Sequence, residues 1–297
     1  MDSRSNVPRV GDPRLASLAG EYRAGRIDRR AFLERLIALA GSYPVAHHLI
    51  ETTGWAATFL SQAETERMGV EALPVKYPGQ GATLEGYLAR PKGPGPYPTL
   101  IVIHGNRGLD AHIRDMARHY AQEGFVALAV DQLSRRGGTA SFASPEEARK
   151  AIGLLTDDQV IADLDAAFAY LQFNATVRKD RIGVTGFCWG GQRTFLYATA
   201  NSNLKAAAVY YGGTPPEEQL ARINCPVLGN YGETDTRITS KVPETAELMK
   251  KYGKSYDPKI YPGAAHAFFN DTGANYNQAA AADAWQRTVV FFHEHMG

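Results

Sequence analysis

The sequence predicts an α/β protein with a mostly parallel central sheet, helices on both faces and an N-terminal helical extension. Three observations lead there. Apolar stretches of strand length alternate with amphipathic helical stretches from about residue 99 to the C-terminus. The run Thr99-Leu100-Ile101-Val102-Ile103 is continuously apolar, as a strand buried on both faces should be. Helix-start signals stand between the strands at Ser144-Pro145-Glu146-Glu147 and Thr156-Asp157-Asp158-Gln159. Parallel strands need crossover connections, and helices of this kind supply them.

In chain order, residues 1–68 form the extension. Leu33, Leu36, Ile37 and Ala40 recur at helical spacing behind Asp28, a suitable N-cap. Two or three short helices are expected there, to cap the main domain or to pair with a second copy in a homodimer. Residues 69–297 form the main domain. Glu71 to Tyr77 and Leu84 to Arg90 flank Pro78-Gly79-Gln80-Gly81, which predicts an antiparallel hairpin. Pro91 to Pro98 holds four prolines and two glycines in eight residues and reads as a turn. A helix over 112–123 and a strand from Phe125 to Val130 follow, the strand ending in Asp131. The helix opened by Thr156 carries Val160, Leu164, Phe168 and Leu171 on one stripe. Strands at Arg181 to Gly186, Ala206 to Tyr211, Val227 to Tyr231 and Ser255 to Tyr261, a helix from Lys241 to Tyr252 and a closing helix to His295 complete the series. Loops at the C-terminal ends of such strands are where a site should be sought.

Composition narrows the function. The 297 residues carry 32 Lys and Arg against 31 Asp and Glu, a formal net charge of +1, so no broad basic surface for nucleic acid is expected. No run of about 18 apolar residues is present, so no membrane span is expected. Two cysteines cannot staple a chain of this length. His293-Glu294-His295 and His47-His48 are not zinc motifs, because such close neighbours diverge on a helix. Neither a G-x-G-x-x-G nor a Walker-type loop occurs, so no nucleotide cofactor is expected.

The strongest local signal is Gly186-Phe187-Cys188-Trp189-Gly190-Gly191, between a predicted strand and a predicted helix. A G-x-S-x-G elbow presents its nucleophile on a sharp strand-to-helix turn, and here cysteine takes the place of serine. A helix N-terminus favours a thiolate. The plainer alternative is a buried structural cysteine in a glycine-rich turn. An acid and a histidine follow on later strand ends: Asp235 in Gly232-Glu233-Thr234-Asp235, and His266 in Pro262-Gly263-Ala264-Ala265-His266. Each separation is about one strand–helix unit. The order nucleophile, acid, histidine is that of α/β-hydrolases. Glu233 is the rival acid, but Asp235 lies further along the loop, where it can reach back to the imidazole. Cys225, before Pro226 at a strand entrance, reads as structural.

Over roughly residues 70–295 the chain resembles the dienelactone hydrolase family of α/β-hydrolases. The resemblance is carried by the G-F-C-W-G-G elbow, by Asp235 in E-T-D-T-R, by His266 in Y-P-G-A-A-H-A-F-F and by the loop Ile103-His104-Gly105-Asn106-Arg107-Gly108-Leu109. It implies an α/β-hydrolase fold and thiolate attack by Cys188 on an ester or lactone carbonyl. His266 would move protons, with Asp235 holding its tautomer. Backbone N–H groups of Trp189 and Asn106 would receive the oxyanion. No metal or other cofactor is implied, and the partner is a small-molecule ester or lactone. An extended subgroup of the family carries an N-terminal segment similar to residues 1–68.

Two positions depart from the family pattern. Where a glutamate usually contacts the resting cysteine this chain has Gly105, which throws thiol activation onto His266 and the helix dipole. Where the dienelactone enzymes carry an arginine four residues after the histidine this chain has Asn270. Arg107, Arg193 and Arg237 are candidates to bind a substrate carboxylate instead, and Trp189, Phe268 and Phe269 to line an apolar pocket. Against each stands an ordinary role in ion pairing or core packing. The alternatives in function are a non-catalytic hydrolase-like binding protein, and a thioesterase or peptidase using the same three residues. Asp28-Arg29-Arg30-Ala31-Phe32-Leu33 has the look of a twin-arginine export signal, which would place the protein in the periplasm. Glu34 and Arg35 interrupt the apolar stretch such a signal needs, so an amphipathic helix and a cytoplasmic location are expected.

Overall fold

The computed structural model describes residues 12–23, 27, 29–40 and 69–297. The chain divides into two compact units, Met1–Met68 and Gly69–Gly297. In the first, α1 (Pro13–Arg23) and α2 (Arg29–Ala40) are helical. Leu15, Leu18, Phe32 and Leu36 are buried, and Arg35 Nη1 donates to Glu21 Oε2 at 3.0 Å. The expected N-cap at Asp28 and the His47-His48 pair lie outside the described residues. No described helix is long and apolar enough to cross a membrane.

The second unit is built on β1 (Val70–Gly79), β2 (Ala82–Pro91), β3 (Tyr97–Ile103), β4 (Val126–Asp131), β5 (Val177–Phe187), β6 (Ala207–Tyr210), β7 (Val227–Gly232) and β8 (Tyr256–Tyr261). They form one sheet in the order β1-β2-β4-β3-β5-β6-β7-β8. β1 and β2 pair antiparallel, as do β2 and β4; every pair from β4 through β8 is parallel. The hairpin strands run longer than the sequence suggests. Pro78 and Gly79 continue β1, and the connection shrinks to Gln80 and Gly81. Proline is tolerated because β1 is an edge strand, whose outward N–H groups need no partner.

Helices α3 (Ala111–Gln122), α4 (Pro145–Ile152), α5 (Asp157–Gln172), α6 (Trp189–Ala200), α7 (Glu217–Leu220), α8 (Thr236–Thr239), α9 (Val242–Lys251) and α10 (Gln278–Met296) fill the connections. Their starts are set by side chains that satisfy otherwise unpaired N–H groups. Asp110 accepts from Ile113, Ser144 from Glu147, Thr156 from Gln159 and Asn277 from Ala280. Glu147 reaches back as in a capping box, but to the N–H of Ala143, one residue before the cap.

Alternating residues along the strands feed two cores. Ile101, Ile103, Leu128, Val184 and Val209 share one with Val160 and Leu164 of α5, Phe195 of α6 and Met249 of α9. On the other face an aromatic cluster joins α3 to α10: Tyr120 and Trp285 lie 4.8 Å apart between centroids, and Phe125 meets Phe292 edge-on at 6.1 Å. Tyr210 faces that side, and its hydroxyl donates to Thr288 Oγ1 of α10 at 2.7 Å. Helices therefore cover both faces, and the parallel strands deliver the ends of β3, β5, β6, β7 and β8 to one rim.

Candidate active site

β5 runs directly into α6 with Cys188 as the single residue between them. Its backbone is left-handed, φ 59° and ψ −117°, and its N–H donates to Tyr210 O at 3.0 Å. A non-glycine residue in that region is strained, and the sharp turn sets the thiol at the junction of β5 and α6. The flanking glycines are steric necessities. A Cβ at Gly186 would collide with the carbonyl of Gly190, and one at Gly190 with the carbonyls of Ile103 and His104.

Two later loops bring the acid and the imidazole to the sulfur. Asp235 follows β7, its N–H bonded to Gly232 O and its carbonyl accepting from the N–H groups of Ile238 and Thr239. His266 follows β8 in a loop tied to the first by Thr234 N–H to Ala264 O at 2.9 Å. His266 Nε2 lies 3.0 Å from Cys188 Sγ, and its Nδ1 lies 2.5 Å from Asp235 Oδ2. The aspartate side chain is 7% exposed and the histidine 29%, so the imidazole is the reachable member. Glu233 is elsewhere: its carboxylate accepts from Gly263 N–H at 2.8 Å and braces the loop that carries His266.

The electrostatics favour charge on both sulfur and imidazole. Burial works to raise the Cys188 thiol, but the hydrogen bond and charge of His266 and the N–H groups of Trp189 and Asn106 outweigh it, and the group falls below its ordinary value. Burial likewise works to lower His266, and Cys188 and Asp235 together lift it above the usual imidazole value. The amides of Trp189, in the first turn of α6, and of Asn106, in the loop after β3, both favour the thiolate.

The remaining expected residues fall differently. Arg107 and Arg237 are exposed, with no ion-pair partner among the described residues. Arg193 is engaged: it pairs with Asp157 and its guanidinium lies over the Trp189 ring at 5.1 Å. Phe268 does not line a pocket. It is 0% exposed, its ring edge-on to Tyr211 at 5.6 Å and 5.1 Å from Tyr261. Ala267, left-handed at φ 62°, reverses the chain after His266 and sends the phenylalanines inward. Asn270 closes its own turn, accepting from the N–H and hydroxyl of Thr272. At Gly105 a Cβ would meet only ordinary contacts, Phe187 O at 3.4 Å and Cys188 Cβ at 3.6 Å.

Three residues at the rim escaped the sequence reading. Tyr211, left-handed at φ 39°, sets its ring edge against His266 at 5.1 Å. Asn275 donates from Nδ2 to the carbonyl of His266 at 2.9 Å. His104 is wholly buried beneath the loop that carries Asn106. A polar residue just beyond a predicted strand end was the available signal for His104; Tyr211 was read as the last residue of its strand, and Asn275 lies too far along its loop to give a signal.

Comparison with known proteins agrees with the fold and gives the family. The model of the dienelactone hydrolase family matches residues 84–296. A provisionally named carboxymethylenebutenolidase from Methylorubrum extorquens is 33% identical over 78% of this chain and 84% of its own length. A provisionally named 2-oxo-3-(5-oxofuran-2-ylidene)propanoate lactonase from Bradyrhizobium is 33% identical, over 73% of this chain and 91% of its own length. Among solved structures, a provisionally named dienelactone hydrolase from Klebsiella pneumoniae superposes with a TM-score of 0.71 at 34% identity, covering 76% of this chain and 99% of that one. With the eight-stranded sheet and a family match spanning most of the second unit, the chain is a hydrolase of the dienelactone hydrolase family, within the α/β-hydrolase superfamily.

Proposed function

We propose that the protein hydrolyses carboxylic esters or lactones through Cys188, His266 and Asp235. The observation that carries this is the unbroken line of contacts from sulfur to imidazole to carboxylate, 3.0 and 2.5 Å. The Cys188 thiolate attacks the carbonyl carbon, and the electron pair of the C=O bond moves to oxygen. The resulting oxyanion takes hydrogen bonds from the N–H groups of Trp189 and Asn106. When the tetrahedral species collapses, the C–O bond to the leaving group breaks and imidazolium Nε2 gives that oxygen its proton. In a lactone the leaving oxygen stays tethered, so the acyl-enzyme carries its own hydroxyl. His266 then takes a proton from water, the hydroxide attacks the thioester, and the sulfur leaves as the thiolate. Asp235 keeps the Nδ1 proton facing it and stabilises the imidazolium. Water is the only co-reactant.

Two of the relatives bear lactonase or carboxymethylenebutenolidase names, which supports a lactone as substrate. Asn270 in place of a cation leaves a substrate carboxylate to Arg107, in the loop after β3, or Arg237, on the short helix α8, both exposed. The test is a panel of lactones and short-chain esters against the wild type and Cys188→Ala, with mass-detected labelling of Cys188 by iodoacetamide. Turnover lost in the variant, and blocked by labelling, is the expected result. No hydrolysis by a folded wild type would point to a binding protein. Hydrolysis that survives Cys188→Ala would place the chemistry on another group.

A further inference from the structure

Beneath the loop after β3, His104 is held by two obligate partners. Its Nε2 accepts from the backbone N–H of Gln132, at the end of neighbouring β4, at 3.1 Å. A backbone N–H can only donate, so Nε2 carries no proton and the neutral ring must carry it on Nδ1. Nδ1 lies 2.7 Å from the carbonyl oxygen of Gly105, which can only accept. The ring is 0% exposed and stacks on Trp189, centroids 5.6 Å apart and planes 16° from parallel. Burial lowers its pKa, in keeping with a neutral ring.

The carbonyl that accepts this hydrogen bond, together with a longer one from Gly108 N–H at 3.3 Å, belongs to the same peptide unit as the N–H of Asn106. In a trans peptide C=O and N–H point in opposite directions across one plane. Fixing the oxygen toward His104 therefore fixes the Asn106 N–H on the opposite side of the peptide, and that amide favours the Cys188 thiolate. Hydrogen bonding at the oxygen also polarises the amide and strengthens its donor end. The other amide that favours the thiolate is that of Trp189, whose indole rests on the imidazole face.

We infer that His104 is the positioning residue of the oxyanion site: its Nδ1–H sets the peptide plane that presents the Asn106 donor, and its ring seats Trp189. This rests on the proposed reading of those two amides as oxyanion donors. His104 touches neither substrate nor sulfur, and it acts on the transition state, where the oxyanion forms, more than on ground-state binding.

Asparagine and glutamine divide the two bonds of His104 between them. Asparagine keeps a donor at the δ position, toward Gly105. Glutamine keeps an acceptor at the ε position, toward Gln132, as a purely structural β3–β4 tie would require. With p-nitrophenyl acetate, His104→Gln and His104→Leu should lower kcat by about 10- to 100-fold, less than outright loss of a donor, with KM within about twofold. His104→Asn should recover most of that loss. Recovery by glutamine and not asparagine, or a folded leucine variant with wild-type kcat, would overturn the inference. The wild type gives an independent reading: imidazole 15N shifts should report a single Nδ1–H tautomer. An Nε2–H tautomer would overturn the inference whatever the variants do. The tautomer is read without turnover, so it separates failure here from failure of the proposed hydrolysis.

Discussion

Two cysteines share this sheet and meet opposite surroundings. Cys188 follows β5 on a left-handed backbone, with an imidazole 3.0 Å from its sulfur and two amides that favour its thiolate. Cys225, just before β7, is 6% exposed and packed in the apolar core with Val227 and Ile223. Burial pushes the Cys225 thiol up to about 12, opposed only by its own backbone amide. Burial pushes on Cys188 in the same direction and loses. Reactivity at a thiol is therefore decided by which donors and cations face the sulfur, more than by enclosure.

The strongest way to break the comparison is to remove each sulfur in turn. Cys188→Ala should lower kcat for ester hydrolysis by roughly 10⁶-fold, the scale seen when a nucleophile is deleted. Cys225→Ala should leave kcat within about twofold and cost about 1 kcal/mol of stability through the small void it opens. Steady-state hydrolysis and urea midpoints measure the two. The next effect belongs to the acids. Asp235→Asn should lower kcat by roughly 10⁴-fold, because a carboxamide can hold the tautomer with its proton on Nε2, facing the sulfur, where it cannot act as a base. Glu233→Gln, whose side chain holds Gly263 N–H and not the imidazole, should stay within about tenfold of wild type. Equal losses in the two variants would mean that loop bracing, not the tautomer, is what the acid supplies.

Much of this was legible in the sequence because it is local chemistry. The elbow glycines are dictated by collisions within a few residues, as the clash of a Gly186 Cβ with Gly190 shows. The caps at Ser144 and Thr156 are closed by the third residue onward. Asp235 and His266 could be located because parallel strands return to one rim at regular intervals. What escaped depends on contacts between strands. His104 and Gln132 meet only because Ile103 pairs with Val130 in the register of β3 on β4. For Arg193 the sequence left substrate binding and ion pairing both open, and α5 decides by placing Asp157 beside it. Phe268 turned inward because Ala267 is left-handed, a conformation alanine does not advertise.

Titration sharpens the comparison further. A lowered thiol pKa means that the thiolate fraction grows at lower pH than for a free thiol. Iodoacetamide labelling of Cys188 in the folded protein should thus reach half its maximal rate below the ordinary thiol value of about 8.5. Cys225, raised, should stay unlabelled until the protein is unfolded. In His266→Ala the largest opposing influence is gone, so the Cys188 midpoint should move upward with burial less opposed. A midpoint that stays put would assign the lowering to the backbone amides alone.

The smallest expected effect is at Gly105. Its backbone is not left-handed, and the nearest atoms to an added Cβ, at 3.4 and 3.6 Å, are ordinary contacts that admit one. Gly105→Glu sets a carboxylate beside a sulfur that otherwise faces donors and a cation. Two negative charges at that range disfavour each other, so the Cys188 labelling midpoint should rise by roughly one pH unit. The fold should be unchanged and Cys225 should remain silent. A midpoint that falls would show the carboxylate accepting the thiol proton in preference to repelling the thiolate. His266 would then not be the group that sets the charge on the sulfur, and the contrast between the two cysteines would rest on the amides of Trp189 and Asn106.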